Sequence, residues 1–266
     1  MGGILVKSLL TAAFAAMLAA ASGTAFADTL QVGAYPSNPP WEFKNEQSMF
    51  EGFEVDLVNE IGKRLGAEIV YQDLGFQALF AATSSGRIDM AISTITITDE
   101  RLQSQSFTQG YYDSDLALIA TKDGEVKSMA DMKGKTVGVL SSSIAEKWAN
   151  ENKDKAGFEE IRGYPEQQNL LLDVQSGRLA GAVGDIAGYQ YAFKNMPTMQ
   201  VLDRIATGDR FAIMMPKGSK NLERVNEAVS AIKNDGTLAK IHEKWLGAPA
   251  DPETSTVKVV DMPVAK

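Results

Sequence analysis

One arginine and the hydroxyl residues before it are the first candidates for chemistry in this sequence. Arg101 follows Thr98 and Asp99, a pair typical of a helix start, so its guanidinium can reach back toward the end of a preceding strand. A guanidinium is a planar, bidentate donor suited to a carboxylate. The alternative is a charged, solvated first helical turn, which the residue types alone favour. Hydroxyl or backbone donors near that strand end would come from Ser93, Thr94 and Thr96.

Asp185 is the candidate of opposite charge. It follows apolar residues and precedes a helical pattern, so it is predicted to lie where a strand of an α/β sheet ends. Its carboxylate can accept hydrogen bonds from a ligand ammonium, or it can cap the following helix, and both can hold at once. Ser142 and Ser143 precede another helical pattern in the same way. They are either caps or part of a helix N-terminus that attracts an anion.

The composition excludes several classes of chemistry. The chain has no cysteine and a single histidine, His242, so it offers neither a thiol nucleophile nor a Cys/His zinc cluster. A Ser-His-Asp triad would require His242, which lies in a lysine-rich helical stretch and is interpreted as a solvated surface residue. We therefore predict no catalytic residue, no metal and no cofactor.

Residues 1–27 have the pattern of a cleaved secretion signal. Lys7 precedes a run of small and apolar residues, and Ala25-Phe26-Ala27 has the small-x-small form of a cleavage site. The run is too short and too polar for a membrane-spanning helix. Removing Lys7 from the 26 basic residues leaves 25 against 34 acidic ones, a net charge of −9 for the mature chain. Nucleic acid and anionic membranes are therefore poor partners.

The remaining chain alternates helical and strand patterns, which is typical of an α/β protein with parallel sheets. Apolar residues at 57, 58, 61 and 65 share one helical face, and Gly66 is a C-terminal stop. The segments 116–121 and 211–215 are predicted to be strands that cross between lobes. The tail from Ala248 onward is rich in proline and is predicted to be irregular.

Four phrases occur in order along the chain. They are Pro40-Trp41-Glu42-Phe43 with the Gly52-Phe53-Glu54 segment, Gly86-Arg87-Ile88-Asp89 leading to Ile92-Ser93-Thr94 and Arg101, Gly134-Lys135-Thr136-Val137 with three serines, and Asn234-Asp235-Gly236 leading to Lys244-Trp245-Leu246-Gly247. Together they resemble the polar amino-acid class of periplasmic solute-binding proteins, the family-3 receptors of ABC importers. The resemblance implies a bilobed, type II periplasmic-binding-protein-like α/β fold with two hinge strands and a ligand in the cleft.

The resemblance also implies the lobe boundaries and the site. Lobe 1 would comprise 28–116 plus 214–247, lobe 2 would comprise 117–213, and 248–266 would form the tail. Arg101 would hold the carboxylate of an amino acid and Asp185 its ammonium. The other predicted ligand-binding residues are Tyr35, Asn38, Phe76, Ser93, Thr94, Thr96, Leu140, Ser142, Ser143 and Ile144.

The sequence departs from the family at two of these positions. Receptors for cationic or amide side chains often carry an acidic residue where Tyr35 stands and an aromatic residue where Asn38 stands. The missing acidic residue argues against lysine or arginine as the ligand. Trp41 is expected to pack behind the pocket.

The resulting prediction is a monomeric, periplasmic, non-enzymatic receptor. It would capture an amino acid or similar zwitterion for the membrane permease of an ABC importer, with no nucleic-acid partner. One alternative is a dehydratase-like periplasmic lyase on the same scaffold, for which Glu51, Glu54 and Glu146 are the available carboxylates. Another is a ligand-sensing partner of a chemoreceptor.

Overall fold

Two five-stranded sheets, each covered by helices, form the frame of the protein in a computed structural model that describes residues 28–265. The predicted secretion signal lies outside the described residues. The strands are β1 (Asp28–Ala34), β2 (Ser37–Asn38), β3 (Glu42–Lys44), β4 (Phe50–Glu51), β5 (Ala67–Asp73), β6 (Met90–Ile92), β7 (Gln105–Phe107), β8 (Tyr112–Thr121), β9 (Thr136–Leu140), β10 (Glu160–Tyr164), β11 (Gly181–Asp185), β12 (Met199–Phe211) and β13 (Met214–Pro216).

The helices lie between these strands, as the alternating patterns predict. They are α1 (Phe53–Leu65), α2 (Phe76–Ser84), α3 (Asp99–Ser104), α4 (Ile144–Glu151), α5 (Lys153–Ala156), α6 (Gln167–Gln175), α7 (Ile186–Ala192), α8 (Leu222–Asn234) and α9 (Thr237–Leu246), with a 3₁₀ helix over Met129–Met132. In α1, Leu57, Val58 and Ile61 are fully buried. The helix ends at Gly66, whose φ of 62° is in the left-handed region that favours glycine.

Each sheet combines parallel and antiparallel strands. In the first sheet, with order β5-β1-β6-β13-β7, strand β1 runs parallel to β5 and β6. In the second sheet, with order β10-β9-β11-β8-β12, strand β9 runs parallel to β10 and β11. Because parallel neighbours need helical crossovers, the carboxyl ends of the parallel strands lie at one edge of each sheet.

The chain passes between the two sheets twice. It leaves the first sheet after β7, at Phe107, and enters the second with β8 at Tyr112. It returns between Phe211, the last residue of β12, and Met214, the first residue of β13. The predicted strand 116–121 lies entirely within β8, and 211–215 spans the return. The exact lobe boundaries stay a prediction.

The segment after Ala248 contains neither helix nor strand up to residue 265, yet it is held in place. Ser255 donates its backbone N–H to Asp113 Oδ2 at 2.8 Å, and Thr256 Oγ1 donates to the carbonyl of Tyr111 at 3.0 Å. Both side chains are almost fully buried. The tail therefore packs against the first crossing between the sheets.

Among residues 28–265, the helices are all too short or too polar to cross a membrane.

Lys233 joins helix α8, the first crossing and the tail, and its removal should destabilise the fold. Its buried ammonium donates to Gln109 Oε1 at 2.8 Å and to the carbonyls of Gly110 at 2.6 Å and Lys258 at 3.0 Å. A buried acceptor that loses its donor costs about 1–3 kcal/mol, so we expect Lys233→Met to lower the free energy of unfolding by about 2–4 kcal/mol in urea denaturation. The exposed Lys240→Met should change it by less than about 0.5 kcal/mol. Equal effects of the two substitutions would contradict this role.

Candidate functional site

A cavity lies between the two lobes, at the edges where the parallel strands end. Tyr35 follows β1, Ser93 follows β6, Leu140 ends β9 and Asp185 ends β11. Its lining comprises Tyr35, Asn38, Phe76, Ser93, Thr94, Thr96, Arg101, Asp115, Leu116, Leu140, Ser143, Ile144, Ala145, Gln167, Gly184, Asp185, Asp209 and Phe211. All the predicted ligand-binding residues except Ser142 are in this set. Residues from distant parts of the sequence are thus brought into one site, while their role in binding stays a prediction.

Arg101 is a partly buried cation that contacts both lobes. The Thr98 hydroxyl caps α3 by accepting the Arg101 N–H at 3.1 Å, which points the side chain back along the preceding segment. The guanidinium donates from Nη1 to the Thr96 carbonyl at 2.8 Å and from Nη2 to the Ser142 carbonyl at 3.1 Å, and it lies 4.8 Å from the Phe80 ring centre. Burial lowers the pKa of Arg101 to about 10, which still leaves it charged at neutral pH. This is not the solvated helical turn that the residue types alone favour.

Asp185 both caps a helix and lines the cavity. Its Oδ2 accepts the backbone N–H of Gly188 at 2.7 Å and the indole N–H of Trp41 at 3.1 Å, and its Oδ1 accepts from Ser114 Oγ at 2.5 Å. Burial raises the pKa of Asp185, and these three donors oppose the rise. Trp41 is fully buried. It does more than pack behind the pocket, because its N–H connects the first lobe to Asp185 in the second.

Tyr35 forms a second connection across the cavity. Its hydroxyl donates to Glu166 Oε2 at 2.5 Å and accepts the backbone N–H of Gln167 at 3.2 Å. Burial, followed by the hydrogen bond to Glu166, raises the pKa of Tyr35. The chain thus has a tyrosine at position 35, where related receptors often have an acidic residue. The carboxylate of Glu166, from the other lobe, lies against this tyrosine. No motif in the sequence distinguishes Glu166.

Ser142 contributes its backbone to the site. The residue has a φ of 64°, and its N–H donates to Glu146 Oε2 at 2.7 Å while its carbonyl accepts from Arg101. Its side chain does not line the cavity, which differs from the prediction. Ser143 lines the cavity and also caps α4, since its hydroxyl accepts the Glu146 N–H at 3.2 Å.

Two buried carboxyl groups, Glu42 and Glu54, lie beneath the cavity. Glu42 Oε1 accepts from the Ser93 hydroxyl at 2.6 Å. Glu54 Oε1 accepts the backbone N–H groups of Ser93 at 3.2 Å and Thr94 at 3.0 Å, together with the hydroxyl of Tyr111. Burial, followed by the charge of Glu54, raises the pKa of Glu42 well above its usual range. Burial therefore favours the protonated form of Glu42, and the two side chains fix the turn that presents Ser93 and Thr94 to the cavity.

Sequence reasoning missed the part of the lining that comes from β8 and β12, together with single positions on α4, α6 and β11. These residues are Asp115, Leu116, Ala145, Gln167, Gly184, Asp209 and Phe211. The sequence offers one indication that Asp115 and Asp209 belong to the site: each is an acidic residue within a strand that also carries apolar residues. His242 also differs from expectation: it is half-buried and stacks on Tyr112, with ring centres 5.9 Å apart.

None of the carboxylates named for the lyase alternative lines the cavity. Glu54 is committed to backbone N–H groups, Glu146 to the Ser142 N–H and Glu51 to the side chain of Asn45. Within residues 28–265, no group of three or more histidine, aspartate or glutamate side chains is arranged to hold a metal ion.

Comparison with known proteins gives a consistent result. The family described as bacterial extracellular solute-binding proteins, family 3, matches residues 30–248. The L-cystine-binding protein TcyJ of Escherichia coli K12 is 30% identical over 224 residues, 83% of each chain. The histidine-binding periplasmic protein of Salmonella typhimurium LT2 is 29% identical over 252 residues, covering 91% of this chain and 93% of that protein.

Solved structures agree with these relatives. An ancestral arginine-binding protein bound to arginine has a TM-score of 0.77 and 32% identity, covering 82% of this chain and 97% of that one. The arginine-, lysine-, histidine-binding protein ArtJ from Geobacillus stearothermophilus has a TM-score of 0.78 and 27% identity, covering 85% and 98%. The predicted bilobed α/β fold is confirmed. The ligands named for these proteins differ, so similarity alone does not select a ligand for this chain.

The buried carboxyl pair leads to a prediction about pH and stability. Because the folded pKa of Glu42 is raised, its contribution is complete below the usual glutamate pKa of about 4.3 and is lost as pH rises through the folded pKa. Glu42→Gln keeps the shape of the protonated acid but cannot ionise. We therefore expect the wild type to lose stability relative to Glu42→Gln as the pH rises above the usual glutamate pKa of about 4.3, measured by urea denaturation.

The exposed Glu46→Gln provides the matched control and should follow the wild-type pH dependence. A constant difference between the wild type and Glu42→Gln at every pH would show that Glu42 does not titrate with a raised pKa.

Proposed function

The chain belongs to the bacterial extracellular solute-binding proteins of family 3, and we propose that it captures an amino acid or similar zwitterion for an ABC importer. One observation carries the proposal: Arg101 and Asp185, a cation and an anion that are both partly buried, line the same cavity between two lobes. A free amino acid carries the two complementary charges on groups bonded to the same carbon. Such a ligand satisfies both residues at once.

The carboxylate of the ligand is assigned to Arg101. Two of the guanidinium N–H groups are used on the carbonyls of Thr96 and Ser142, which fixes the plane of the group and leaves its other N–H groups for a ligand. A fixed, planar donor loses little conformational entropy when it binds a carboxylate. Ser93, Thr94 and Thr96 supply nearby polar groups.

The ammonium of the ligand is assigned to the Asp185 side of the cavity. The three donors that already contact this carboxylate are neutral, so they orient it without cancelling its charge. A charge held out of water is costly unless it is paired, and a ligand ammonium provides the pair.

Three cross-lobe hydrogen bonds support capture by closure. They join Tyr35 to Glu166, Trp41 to Asp185 and Arg101 to Ser142. A ligand in the cavity would be enclosed by them, so entry and release require the lobes to separate about the two crossings, as in hinge closure.

Export, delivery and the absence of turnover are parts of the same proposal. The signal-like N-terminus and the family's extracellular class support a periplasmic location, where the receptor would act as a monomer and deliver its ligand to a membrane permease. The three glutamates considered for the lyase alternative, Glu51, Glu54 and Glu146, lie outside the cavity, which supports binding without turnover.

An amino-acid screen tests the proposal directly. Purified residues 28–266 should be stabilised by at least one amino acid, by about 2.7 kcal/mol when the ligand is present at about 100 times its Kd. Thermal denaturation measures the stabilisation, and mass spectrometry should recover the ligand unchanged. Consumption of the ligand by catalytic amounts of protein, or no stabilisation by any amino acid, would overturn the proposal.

Substitutions at the two charged residues test the assignment of the site. Removing one member of a buried charge pair costs roughly 2–5 kcal/mol, so Arg101→Ala should weaken binding roughly 30-fold to several thousand-fold in calorimetric titration. Arg101→Lys should also bind poorly, since an ammonium cannot replace the planar fork. Asp185→Asn should weaken binding while keeping its size. Affinity near that of the wild type in Arg101→Ala would end the assignment.

The exposed Arg87→Ala removes the same charge away from the cavity and should leave affinity unchanged. Urea denaturation of Asp185→Asn separates a loss of helix capping from a loss of binding.

A further inference from the structure

Asp209 is a buried carboxylate that the proposed site does not yet use. It lines the cavity, is 8% exposed, and accepts one protein hydrogen bond, from Thr207 Oγ1 at 2.9 Å. The described part of the chain gives it no ion pair. A buried carboxylate with so few partners is unfavourable unless something else neutralises it.

The backbone explains why Asp209 faces the ligand. Side chains two residues apart on a strand point to the same face, and Asp209 and Phe211 both line the cavity from β12. Phe211 is paired with Thr96, whose carbonyl accepts from Arg101. Strand β12, which carries Asp209, therefore runs beside Thr96, the residue whose carbonyl holds the Arg101 guanidinium.

Asp209 also lies next to Asp185. It is paired in register with Ser114 on β8, and the Ser114 hydroxyl donates to Asp185 Oδ1 at 2.5 Å. The two carboxylates thus flank one serine at the same end of the cavity. Burial raises the pKa of Asp209, and the negative charges of Asp115 and Asp185 add to the rise, while the Thr207 hydroxyl and the positive charge of Arg101 oppose it.

The third aspartate of the lining is already neutralised. Asp115 pairs with Arg204 at 2.5 Å and accepts the backbone N–H groups of Thr207 and Gly208, each at 2.9 Å. This leaves Arg101 as the cation of the lining, against the carboxylates of Asp185 and Asp209. Arg101 lies close enough to Asp209 to affect its charge, but one cation cannot balance two carboxylates. A neutral zwitterion would therefore leave the lining with one net negative charge, which a ligand with one net positive charge would balance.

We propose that Asp209 is a second ligand-binding carboxylate and that the receptor selects amino acids carrying one net positive charge. The inference rests on the function proposed above. The absence of an acidic residue at position 35 argued against lysine or arginine as the ligand. Asp209, on a different strand, supplies an acidic residue in its place and reverses that conclusion. The α-ammonium of such a ligand contacts Asp185, and its second cationic group contacts Asp209.

Pairs of ligands with nearly the same shape but different charge test the proposal. They are arginine against citrulline, ornithine against glutamine, and 2,4-diaminobutyrate against asparagine, each measured by calorimetric titration. A hydrogen bond to a charged group contributes about 1.5–3 kcal/mol, so the cationic member of at least one pair should bind roughly 10- to 100-fold more tightly. Equal affinity within every pair would overturn the proposal.

Asp209→Asn separates ligand selection from a structural role. The variant keeps the size of the side chain but removes its charge, so the preference for the cationic member should fall toward onefold while the neutral member keeps its affinity. If Asp209 only shapes its own strand through Thr207, both members should lose affinity equally. That result would also overturn the proposal.

The exposed Asp123→Asn removes the same charge far from the lining and should keep the wild-type preference. Binding of neutral amino acids without preference for cationic ones refutes only this inference. Failure of every amino acid to bind refutes the proposed function itself.

Discussion

The arrangement of the site depends on the burial of the Arg101 guanidinium between two lobes. Its two hydrogen bonds end on backbone carbonyls, Thr96 in the first lobe and Ser142 in the second. Carbonyls orient a cation but do not neutralise it, so the guanidinium keeps a charge that can pair with the carboxylate of a ligand. The hydrogen bond from Arg101 to the Ser142 carbonyl joins the two lobes. It also orients the guanidinium for a carboxylate, so one interaction serves both closure and binding.

A buried polar network beneath Arg101 holds the surroundings of the guanidinium. Glu42 and Glu54 hold the Ser93–Thr94 turn, Tyr111 donates to Glu54, and Trp41 reaches Asp185 in the second lobe. A buried polar network of this kind specifies one geometry when its members are paired. Lys233 and the tail have a similar role on the far side, where they fix the first crossing between the sheets.

The charge of the cavity connects this geometry to selectivity. Closing the lobes removes water from Arg101, Asp185 and Asp209 together, and the cost of that step is lowest when the ligand supplies the missing charges. A receptor built in this way closes fully only on a ligand whose charge matches. Selection by charge and closure of the hinge are then the same event, which is what an importer needs from the protein that delivers its substrate.

Local patterns in the sequence determined the class of fold and much of the site. The alternation of helices and strands indicated parallel sheets, and Arg101 and Asp185 were assigned to the site because the phrases that contain them resemble those of the family. Contacts between distant residues were decided by the tertiary structure alone. Tyr35 and Glu166 are 131 positions apart, and Trp41 and Asp185 are 144 apart. The face of β12 that Asp209 occupies depends on register shifts in its pairing with β8, and a left-handed φ turns the Ser142 carbonyl rather than its hydroxyl toward Arg101. Pairing register and the closing of one lobe on the other are long-range properties, so no local pattern encodes them.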